Sequence, residues 1–477
     1  MPLLSYNNLR QVSAHPSLSI PHDAQFQLPD KVLQFGTGVL LRGLPNYFIE
    51  KANQKGIFNG RIVVVKSTEN GDVSSLQEQD NLYTLSIRGI KNGQNINENI
   101  ICSAISKIIH ANAQWSDVLN SAANPSIQII ISNTTEAGLQ YIEETLTHEP
   151  SVSFPGKLTQ CLYHRYVKLG HAPESKIVVL PTELLTDNGF ILKKIIEKLI
   201  LFNDYPKSFG EWLNEKVIFS NTLVDRIVPG KLSEEHQQML LEKYGYTDSN
   251  AIMCEPYALW GIEGGQEVRD LLSFSSVNEE IKIVPDISQF KELKLRILNG
   301  SHTLLCAKAI AEGFETVYLA MSDPIFRKYA EELIFDEIIP SLPSEIKKED
   351  KLSFAKDVID RFSNPNIEHK WTSIAVQYPM KLTIRVLPLL KSYLQTTGIS
   401  PTKMVECIRE VLHFLLNNED TPMDNISKTA ITKINLSSSS TEEKVKLLLK
   451  EESIWGEGFY ILWLDAEAVS SKKEHQF

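Results

Sequence analysis

The stretch KVLQFGTGVLLRGLPNYFIEKANQKG, residues 31–56, determines the architecture expected for the first half of the chain. Its opening residues, KVLQF (31–35), form a short apolar run that is typical of a buried strand. GTGVLLRG follows at once, and apolar residues then recur with helical spacing as far as Gly56. A strand that enters a helix through a glycine turn is the start of a βαβ unit. RIVVVK (61–66) supplies the second strand of that unit.

The same alternation continues beyond residue 66. Short apolar runs alternate with helical patterns, and ENIICSAISKIIH (98–110) indicates an extended segment or part of a hairpin. Buried strands separated by helices predict a parallel sheet that is covered on both faces. The further strands are expected in SIQIIIS (126–132), KIVVLP (176–181) and VIFSNTLVDRIVPG (217–230), and the helices around 155–169 and 188–201.

From about residue 286 strand patterns almost vanish and helical spacing takes over. The sequence therefore predicts an α/β Rossmann-type domain over residues 1–285 and a mainly α-helical domain over residues 286–477. The helical runs include ELKLRILNGSHTLLCAKAIAEG (292–313), PIFRKYAEELIFDEIIPSL (324–342), KEDKLSFAKDVIDRF (348–362), PTKMVECIREVLHFLL (401–416) and STEEKVKLLLK (440–450).

Composition excludes several classes of partner. The 477 residues are 42% hydrophobic and carry a formal net charge of −11, which argues against nucleic acid and anionic membranes. The five cysteines are scattered without a CxxC pair, as free thiols in a reducing compartment would be. The first 21 residues lack the pattern of a secretory signal, so we expect a cytoplasmic protein, either a monomer or a small homo-oligomer.

The glycine turn after the first strand is a candidate phosphate-binding site. Gly36 permits the tight turn, and Gly38 allows the backbone to approach a pyrophosphate that the following helix terminus would favour. Leu41 occupies the third position of the usual G-x-G-x-x-G pattern, so the motif is weak without its strand–turn–helix context. That context predicts a dinucleotide site whose first contacts are Phe35, Gly36, Thr37, Gly38 and Val39.

The ends of the two neighbouring strands bear on the choice of cofactor. An acid normally closes the second strand and binds the ribose hydroxyls, but RIVVVK ends in Lys66, and Glu69 comes late. Lys66 could accept a 2′-phosphate or lie solvated at the strand end, so we expect NAD and leave NADP open. Thr134, Thr135 and Glu136 follow the strand that should end near the nicotinamide.

KLRILNGSHT (294–303) places an amine, an amide and an imidazole close together. At about 100° per residue, Asn299 and His302 lie roughly 140° and 80° around an α-helix from Lys294, so the three share one face. Such a group can polarise and protonate a carbonyl. The alternative from this run alone is a partly exposed polar helix face.

Five segments give the chain a resemblance to a known family, the polyol-specific long-chain dehydrogenases, or mannitol dehydrogenase family. Residues 34–68 are most similar to the uronate-handling branch of that family, and RFSNPNI (361–367) and Lys381 add to the likeness. The five segments are QFGTGVLLRG (34–43), ISNTTEAG (131–138), FSNTLVDRI (219–227), EPYALW (255–260) and KLRILNGSH (294–302).

The resemblance implies a nicotinamide-dependent oxidoreductase with a metal-independent active site in the cleft between a Rossmann-type and a helical domain. It implies that Lys294 is the general acid/base, that Asn299 stabilises the oxyanion, and that His302 orients a substrate hydroxyl. The second oxyanion asparagine maps to PTELLTDNG (181–189), where Leu184 replaces one asparagine and Asn188 remains. Spacing alone would make Asn188-Gly189 a turn or helix cap.

A uronate or aldonate substrate would need a cation for its carboxylate. Lys381 and Arg385 are four residues apart on one helical face, and Arg42 lies near the glycine turn. Each could instead be a solvated or salt-bridged side chain. The pair Asp225-Arg226 is expected to be a structural ion pair.

Three other functions compete with uronate reduction. Another uronate epimer or a plain sugar alcohol would differ only in stereochemistry or charge. A non-catalytic regulator that binds a dinucleotide would have no use for Lys294, Asn299 and His302 together. Zinc-dependent oxidation lacks a ligand cluster, because no further ligand accompanies His302 and Cys306, so no metal is expected.

Overall fold

The computed structural model of the chain describes residues 2–68, 71–134, 136–437 and 439–474. The chain divides into two compact units: Met1–Arg88 with Asn95–Ile287, and Gly89–Gln94 with Ser288–Phe477. The main division therefore follows Ile287, close to the expected boundary after residue 285. The segment Gly89–Gln94, the tip of a hairpin, was not expected to belong with the second unit. The functional roles assigned to the two units stay predictions.

The strands of the first unit form three sheets. They are β1 (Leu18–Ser19), β2 (Asp30–Phe35), β3 (Arg61–Lys66), β4 (Tyr83–Lys91), β5 (Gln94–Cys102), β6 (Ile105–His110), β7 (Ile129–Ser132), β8 (Ile177–Pro181), β9 (Val217–Phe219), β10 (Thr222–Asp225), β11 (Gly230–Lys231), β12 (Ile252–Cys254), β13 (Leu259–Glu263) and β14 (Ile281–Val284).

The largest sheet has the order β6-β3-β2-β7-β8-β9, and all of its strands are parallel. Its order is that of a dinucleotide-binding sheet, with the topological switch point between β2 and β7. Phe35, the last residue of β2, is in register with Val65 of β3 and Ser132 of β7. The predicted parallel sheet is confirmed.

Helices and the two smaller sheets cover the parallel sheet. Leu33, Val63 and Ile130 pack on the face covered by α4 to α7, while Val32, Val64 and Ile131 pack toward α2 and the smaller sheets. The helices of this unit are α1 (Val39–Gly43), α2 (Pro45–Gln54), α3 (Ser74–Glu78), α4 (Trp115–Ala122), α5 (Phe154–Leu169), α6 (Asn188–Phe202), α7 (Lys207–Lys216), α8 (Glu234–Tyr244) and α9 (Gln266–Leu271).

The helix expected to run as far as Gly56 is broken in two. Leu44 leaves the helical conformation with φ −127° and ψ −76°, and Pro45 starts α2. The residue before a proline is pushed out of the α region, and proline lacks the N–H that would continue the helix. Consequently α1 has only five residues, and its terminus lacks the aligned peptide dipoles of the long helix that the sequence pattern predicted.

The second unit is mainly helical. Its helices are α10 (Ser288–Leu293), α11 (Asn299–Ala311), α12 (Val317–Ser322), α13 (Pro324–Glu332), α14 (Lys348–Phe362), α15 (Trp371–Ala375), α16 (Tyr378–Arg385), α17 (Leu387–Thr397), α18 (Thr402–Asn417), α19 (Asn425–Asn435), α20 (Thr441–Leu449), α21 (Glu452–Trp455) and α22 (Phe459–Glu474). Helix α11 packs against α15, α16 and α18 and is largely buried.

Two π-helical segments interrupt this pattern, at Lys294–Leu298 and Leu333–Ile338. Near the C-terminus, Ser440 and Glu443 form a reciprocal capping box at the start of α20, in the helical run expected over residues 440–450. Among the described residues, no helix combines the length and the apolar character needed to cross a bilayer.

Candidate active site

A cavity of about 550 Å³ opens at the carboxyl ends of β2, β3 and β7, at the switch point of the parallel sheet. Ligands of open α/β sheets bind at this place. The expected cofactor residues that line it are Phe35, Gly36, Thr37, Gly38, Lys66 and Thr134. The side chain of Val39 instead packs against the hydrophobic core at the start of α1, so that residue does not line the cavity as a side chain.

The two glycines have separate roles. Gly36 has φ +124°, and a Cβ there would lie 3.0 Å from Leu41 Cδ1 and 3.2 Å from the Asn133 carbonyl oxygen. Gly38 has an ordinary φ of −62°, and no atom of the described residues lies within 4 Å of an added Cβ. Gly36 thus serves the turn, and Gly38 leaves an open cradle that fits the close approach of a pyrophosphate.

Two lysines give the cavity its positive charge. Lys66, at the end of β3, donates from Nζ to the Thr68 carbonyl oxygen at 2.6 Å. Lys157, on α5, also lines the cavity and donates to the Val152 carbonyl oxygen at 2.8 Å. Burial lowers the pKa of Lys157. Sequence reasoning missed Lys157 because it lies within an amphipathic helix with no motif around it.

The loop after β7 is held by a buried carboxylate. Thr134 donates from both its backbone N–H and its hydroxyl to Glu183 Oε1, at 2.8 and 3.0 Å. Burial raises the pKa of Glu183, which is 3% exposed. The hydroxyl of Thr134 is therefore engaged with protein. Glu69 and Thr135 lie outside the described residues, as does the side chain of Glu136, whose backbone starts a short 3₁₀ turn.

Asn188 does not fit the oxyanion role that the resemblance implied. Its side chain is fully buried, and Nδ2 donates to the carbonyl oxygens of Pro181, Glu183 and Thr222 at 3.0–3.2 Å. Its Oδ1 accepts from the N–H groups of Gly189 and Thr222 at 2.9 Å. With both amide hydrogens used by backbone, Asn188 clamps the ends of β8, α6 and β10 together.

Arg42 also departs from the expected substrate-binding role. Its Nη1 donates to the Asn250 carbonyl oxygen at 3.1 Å, and its guanidinium lies 5.3 Å from the centre of the Tyr83 ring. The Tyr83 hydroxyl donates back to the Arg42 carbonyl oxygen at 2.8 Å. The break at Leu44 ends α1 directly after this residue, and the side chain supports the neighbouring sheet. Arg42 is therefore a structural residue in this fold.

Of the expected pair Asp225-Arg226, the arginine has a structural role. Arg226 donates to the carbonyl oxygens of Glu255 and Gly43, at 3.0 and 2.8 Å, and stacks 4.4 Å from the Tyr47 ring centre. The ion pair itself stays a prediction.

In the second unit, Lys294 and Asn299 are brought together by a π turn. The Asn299 N–H donates to the Lys294 carbonyl oxygen, an i→i+5 bond, over the π segment Lys294–Leu298. A π turn takes one more residue than an α turn, so Asn299 lies one full turn from Lys294 rather than 140° around. His302 follows three residues later on α11, which keeps it beside Asn299 on the helix surface. The shared face was predicted, but for the wrong helix geometry.

Arg296 points elsewhere, as the helical spacing indicated. It pairs with Glu292 at 2.9 Å and donates to the Ile384 and Arg385 carbonyl oxygens at 2.6 and 3.1 Å. It therefore ties the π segment to α16.

His302 is enclosed by aromatic rings. It stacks on Phe362 at 4.1 Å and meets His369 and Trp371 in T-shaped contacts at 5.0 and 6.1 Å. Its Nε2 is buried and has no hydrogen-bond partner among the described residues. Burial, reinforced by His369, Arg361, Arg385 and Lys381, holds the pKa of His302 well below its ordinary value. The ring is neutral at physiological pH.

Lys381 and Arg385 lie on α16 beside that ring. Lys381 Nζ donates to the Ile374 carbonyl oxygen at 2.9 Å, and Arg385 Nη1 donates to Thr303 Oγ1 at 3.3 Å. Burial lowers the pKa of both groups, and Arg385 lowers that of Lys381 further. Arg361 and His369, which sequence reasoning did not select, belong to the same cluster. The only signal for Arg361 was the RFSNPNI motif, which ends at Ile367 and does not include His369.

Family models identify this architecture. Residues 30–275 match the mannitol dehydrogenase Rossmann domain, and residues 286–460 match the mannitol dehydrogenase C-terminal domain. The chain belongs to the mannitol dehydrogenase family, a family of oxidoreductases that act on CH–OH groups.

Relatives that carry the name altronate oxidoreductase are similar over most of the chain. The protein from Halalkalibacterium halodurans is 37% identical over 83% of this chain and 77% of its own length. The protein from Bacillus subtilis is 37% identical over 83% and 82%, and that from Phocaeicola vulgatus 33% identical over 91% of each chain.

Solved structures confirm the fold. A substrate-free D-sorbitol dehydrogenase superposes with a TM-score of 0.78 at 21% identity, covering 98% of this chain and 97% of the other. The Pseudomonas fluorescens mannitol 2-dehydrogenase, a ternary complex with NAD and D-mannitol, gives 0.68 at 20% identity, with 99% and 97% covered. The predicted Rossmann-type domain and helical domain are thereby confirmed.

Proposed function

We propose that this protein is an NAD-dependent oxidoreductase that interconverts D-tagaturonate and D-altronate in hexuronate catabolism. The relatives named altronate oxidoreductase support that substrate pair. The observation that carries the substrate class is the cluster of Lys381 and Arg385 around the neutral ring of His302. A neutral polyol can accept hydrogen bonds from these half-buried cations, but only a carboxylate also offsets their charge.

The cavity at the switch point of the parallel sheet supports NAD as the cofactor. Gly38 offers an open cradle, and Lys66 and Lys157 supply cations for phosphate groups. When bound, the reduced nicotinamide supplies the hydride. The neighbour solved with NAD and D-mannitol has the same fold. NADP stays the alternative cofactor, because Lys66 at the end of β3 could bind its 2′-phosphate. The reduction assay distinguishes the two cofactors.

Lys294 and Asn299 account for the proton and the charge. As a ketone is reduced, hydride reaches its carbon and negative charge develops on its oxygen. The Asn299 amide N–H stabilises that oxygen, and such a donor contributes about 3 kcal/mol to the transition state. The Lys294 ammonium then gives its proton to the oxygen, and the alcohol leaves with the hydride on carbon. In the oxidising direction, the free amine removes the hydroxyl proton.

His302 and the two cations of α16 bind the substrate. The Nε2 of His302, which no described residue hydrogen-bonds, binds a substrate hydroxyl, and Lys381 and Arg385 bind the carboxylate. The five cysteines are free and buried, which supports a reducing cytoplasmic setting. We further propose that the protein is a monomer or a small homo-oligomer.

The test is a reduction assay with purified full-length protein. NADH or NADPH is mixed with tagaturonate, fructuronate or fructose, and loss of the nicotinamide absorbance is followed. The proposal predicts the highest kcat/KM for NADH with tagaturonate. A preference for fructuronate would indicate a fructuronate reductase instead. A preference for fructose would contradict the binding of a substrate carboxylate by Lys381 and Arg385. NADH binding with no turnover of any substrate would indicate a dinucleotide-binding regulator.

A further inference from the structure

His302 has a second imidazole beside it that the proposed chemistry does not yet use. The ring of His369 lies 5.0 Å from that of His302, with the planes at 79°. His369 follows α14 and is half-buried, and no described group hydrogen-bonds its ring nitrogens. Two rings that can form hydrogen bonds thus lie side by side, and the buried Nε2 of His302 has no partner in the part of the chain that the structure describes. A buried polar atom without a partner costs free energy, so ligand binding is the natural way to satisfy it.

The groups facing the two rings are cationic or aromatic. Arg361 approaches from α14, and Lys381 and Arg385 from α16. Phe362 and Trp371 form the walls, and His302 itself lies on α11. Burial and Asp360 raise the pKa of Asp357, one turn before Arg361 on α14, while Lys91 and Arg361 lower it. The electrostatic influences on the pKa values of the two histidines come from cations, apart from the effect of His369 on His302.

This arrangement keeps both imidazoles neutral. Burial lowers the pKa of His369, and Lys381 and Arg361 lower it further. A neutral imidazole donates one N–H hydrogen bond without adding another buried charge. Hydrogen bonds to a charged acceptor are shorter and stronger than neutral ones, so a carboxylate is the best acceptor for that donor.

We propose that His369 is a specificity-determining residue that binds the substrate carboxylate together with Lys381, while the adjoining His302 binds the neighbouring hydroxyl. This rests on the proposed uronate chemistry and assigns it a further residue. Two rings 5.0 Å apart suit oxygen atoms on adjacent carbons, as in a 2-hydroxy acid. An uncharged ketose can use His302 but gives His369 no anionic acceptor.

The test compares His369→Phe and His369→Gln with the wild type. Phenylalanine keeps the ring shape and removes the donor, whereas glutamine keeps a neutral donor. His413→Phe is the matched control, because His413 is a half-buried histidine of the same unit. KM and kcat are measured with tagaturonate and with fructose, together with the shift in melting temperature that altronate and mannitol produce.

We expect His369→Phe to raise KM for tagaturonate about 10- to 100-fold with kcat nearly unchanged, the loss of one hydrogen bond to a charged group. KM for fructose and the mannitol-induced thermal shift should stay as in the wild type. His369→Gln should recover much of the tagaturonate affinity and of the altronate-induced shift. An equal rise in KM for both substrates, or an equal fall in kcat, would overturn the inference.

The same experiment separates this inference from the function it rests on. A wild type that reduces no tagaturonate and gains no thermal stability from altronate refutes both. A wild type that reduces tagaturonate while His369→Phe matches it on both substrates refutes only the role of His369. If His369→Phe does not fold, His369→Ala, which also removes the donor, takes its place. A reduced altronate-induced thermal shift then supports the role of His369, and an unchanged shift refutes it.

Discussion

Replacing Asn188 by alanine should damage stability far more than chemistry. The wild-type amide is fully buried and joins β8, the start of α6 and β10 through backbone hydrogen bonds. The substitution leaves the carbonyl oxygens of Pro181 and Glu183 without this donor. The N–H groups of Gly189 and Thr222 lose their common acceptor.

The size of the effect follows from the number of groups left without partners. A typical hydrogen bond contributes about 1 kcal/mol net, and a buried group that loses its partner costs about 1–3 kcal/mol. Water entering the vacated space and alternative partners reduce the total. We therefore expect the free energy of unfolding to fall by about 3–5 kcal/mol, which is a large part of the stability of an ordinary domain.

The assay is urea-induced unfolding, followed by kinetics below the unfolding transition. Asn221→Ala is the control, because Asn221 is a half-buried asparagine of the same region. Its amide oxygen accepts a hydrogen bond from the Phe190 N–H, and its amide nitrogen donates one to Glu263. That variant should lose much less stability. Folded Asn188→Ala should keep kcat within about 10-fold of the wild type, whereas losing an oxyanion donor costs about 10²–10³-fold. Unchanged stability with a 100-fold loss of kcat would refute the clamp role.

Three further predictions concern the cofactor turn, the proton and the buried imidazole. Gly36→Ala should cost about 1–3 kcal/mol of stability, because φ +124° strains any side chain, while Gly38→Ala should fold normally and weaken NADH binding; equal melting temperatures for the two variants would contradict this. Lys294→Ala should lower turnover about 10²–10⁴-fold and leave NADH affinity intact, and wild-type altronate oxidation should rise with pH between about pH 6 and pH 10; loss of NADH binding or a flat profile would count against the acid/base role. Because burial lowers the pKa of His302 in the folded state, the unfolded chain binds the proton first, so the free energy of unfolding should fall as pH drops below about 6.5. His302→Gln should weaken that pH dependence in denaturation curves measured from about pH 7 to pH 5, and an unchanged slope would contradict a buried neutral ring.

The parallel sheet could be predicted because each of its strands carries its own signal. KVLQF, RIVVVK and SIQIIIS are continuous apolar runs, and burial on both faces needs no knowledge of partners. The hairpin of β4 and β5 was only half anticipated. Tyr83–Lys91 mixes polar and apolar residues, and its pairing depends on distant β12, which no local pattern shows.

The helix geometry around Lys294 could not be derived from residue spacing. The arithmetic assumed α-helical turns, whereas the structure inserts a π turn with the bond from Asn299 to Lys294. No residue in KLRIL signals such a turn, because the packing of neighbouring helices decides it. The segment lies against α14 and the second π segment. The interruption is local and changes the spacing of Lys294 and Asn299 without removing them from one face.

The roles expected for Asn188 and Arg42 differ from the structure for a common reason. Asn188 and Arg42 were selected for the chemistry that their groups can perform, but each group is already used by backbone atoms from distant segments. His369 was missed for the converse reason. Its neighbours Lys381 and Arg361 come from separate helices, so its surroundings exist only in the folded chain.

Transfer of isotope from the reduced cofactor measures the central claim most directly. NADH carrying deuterium at the transferable position is incubated with tagaturonate, and the product is analysed by mass spectrometry. The account predicts altronate with deuterium on the former carbonyl carbon from the wild type, and almost none from Lys294→Ala with NADH still bound. Unlabelled product, or equal labelling by the two proteins, would contradict it.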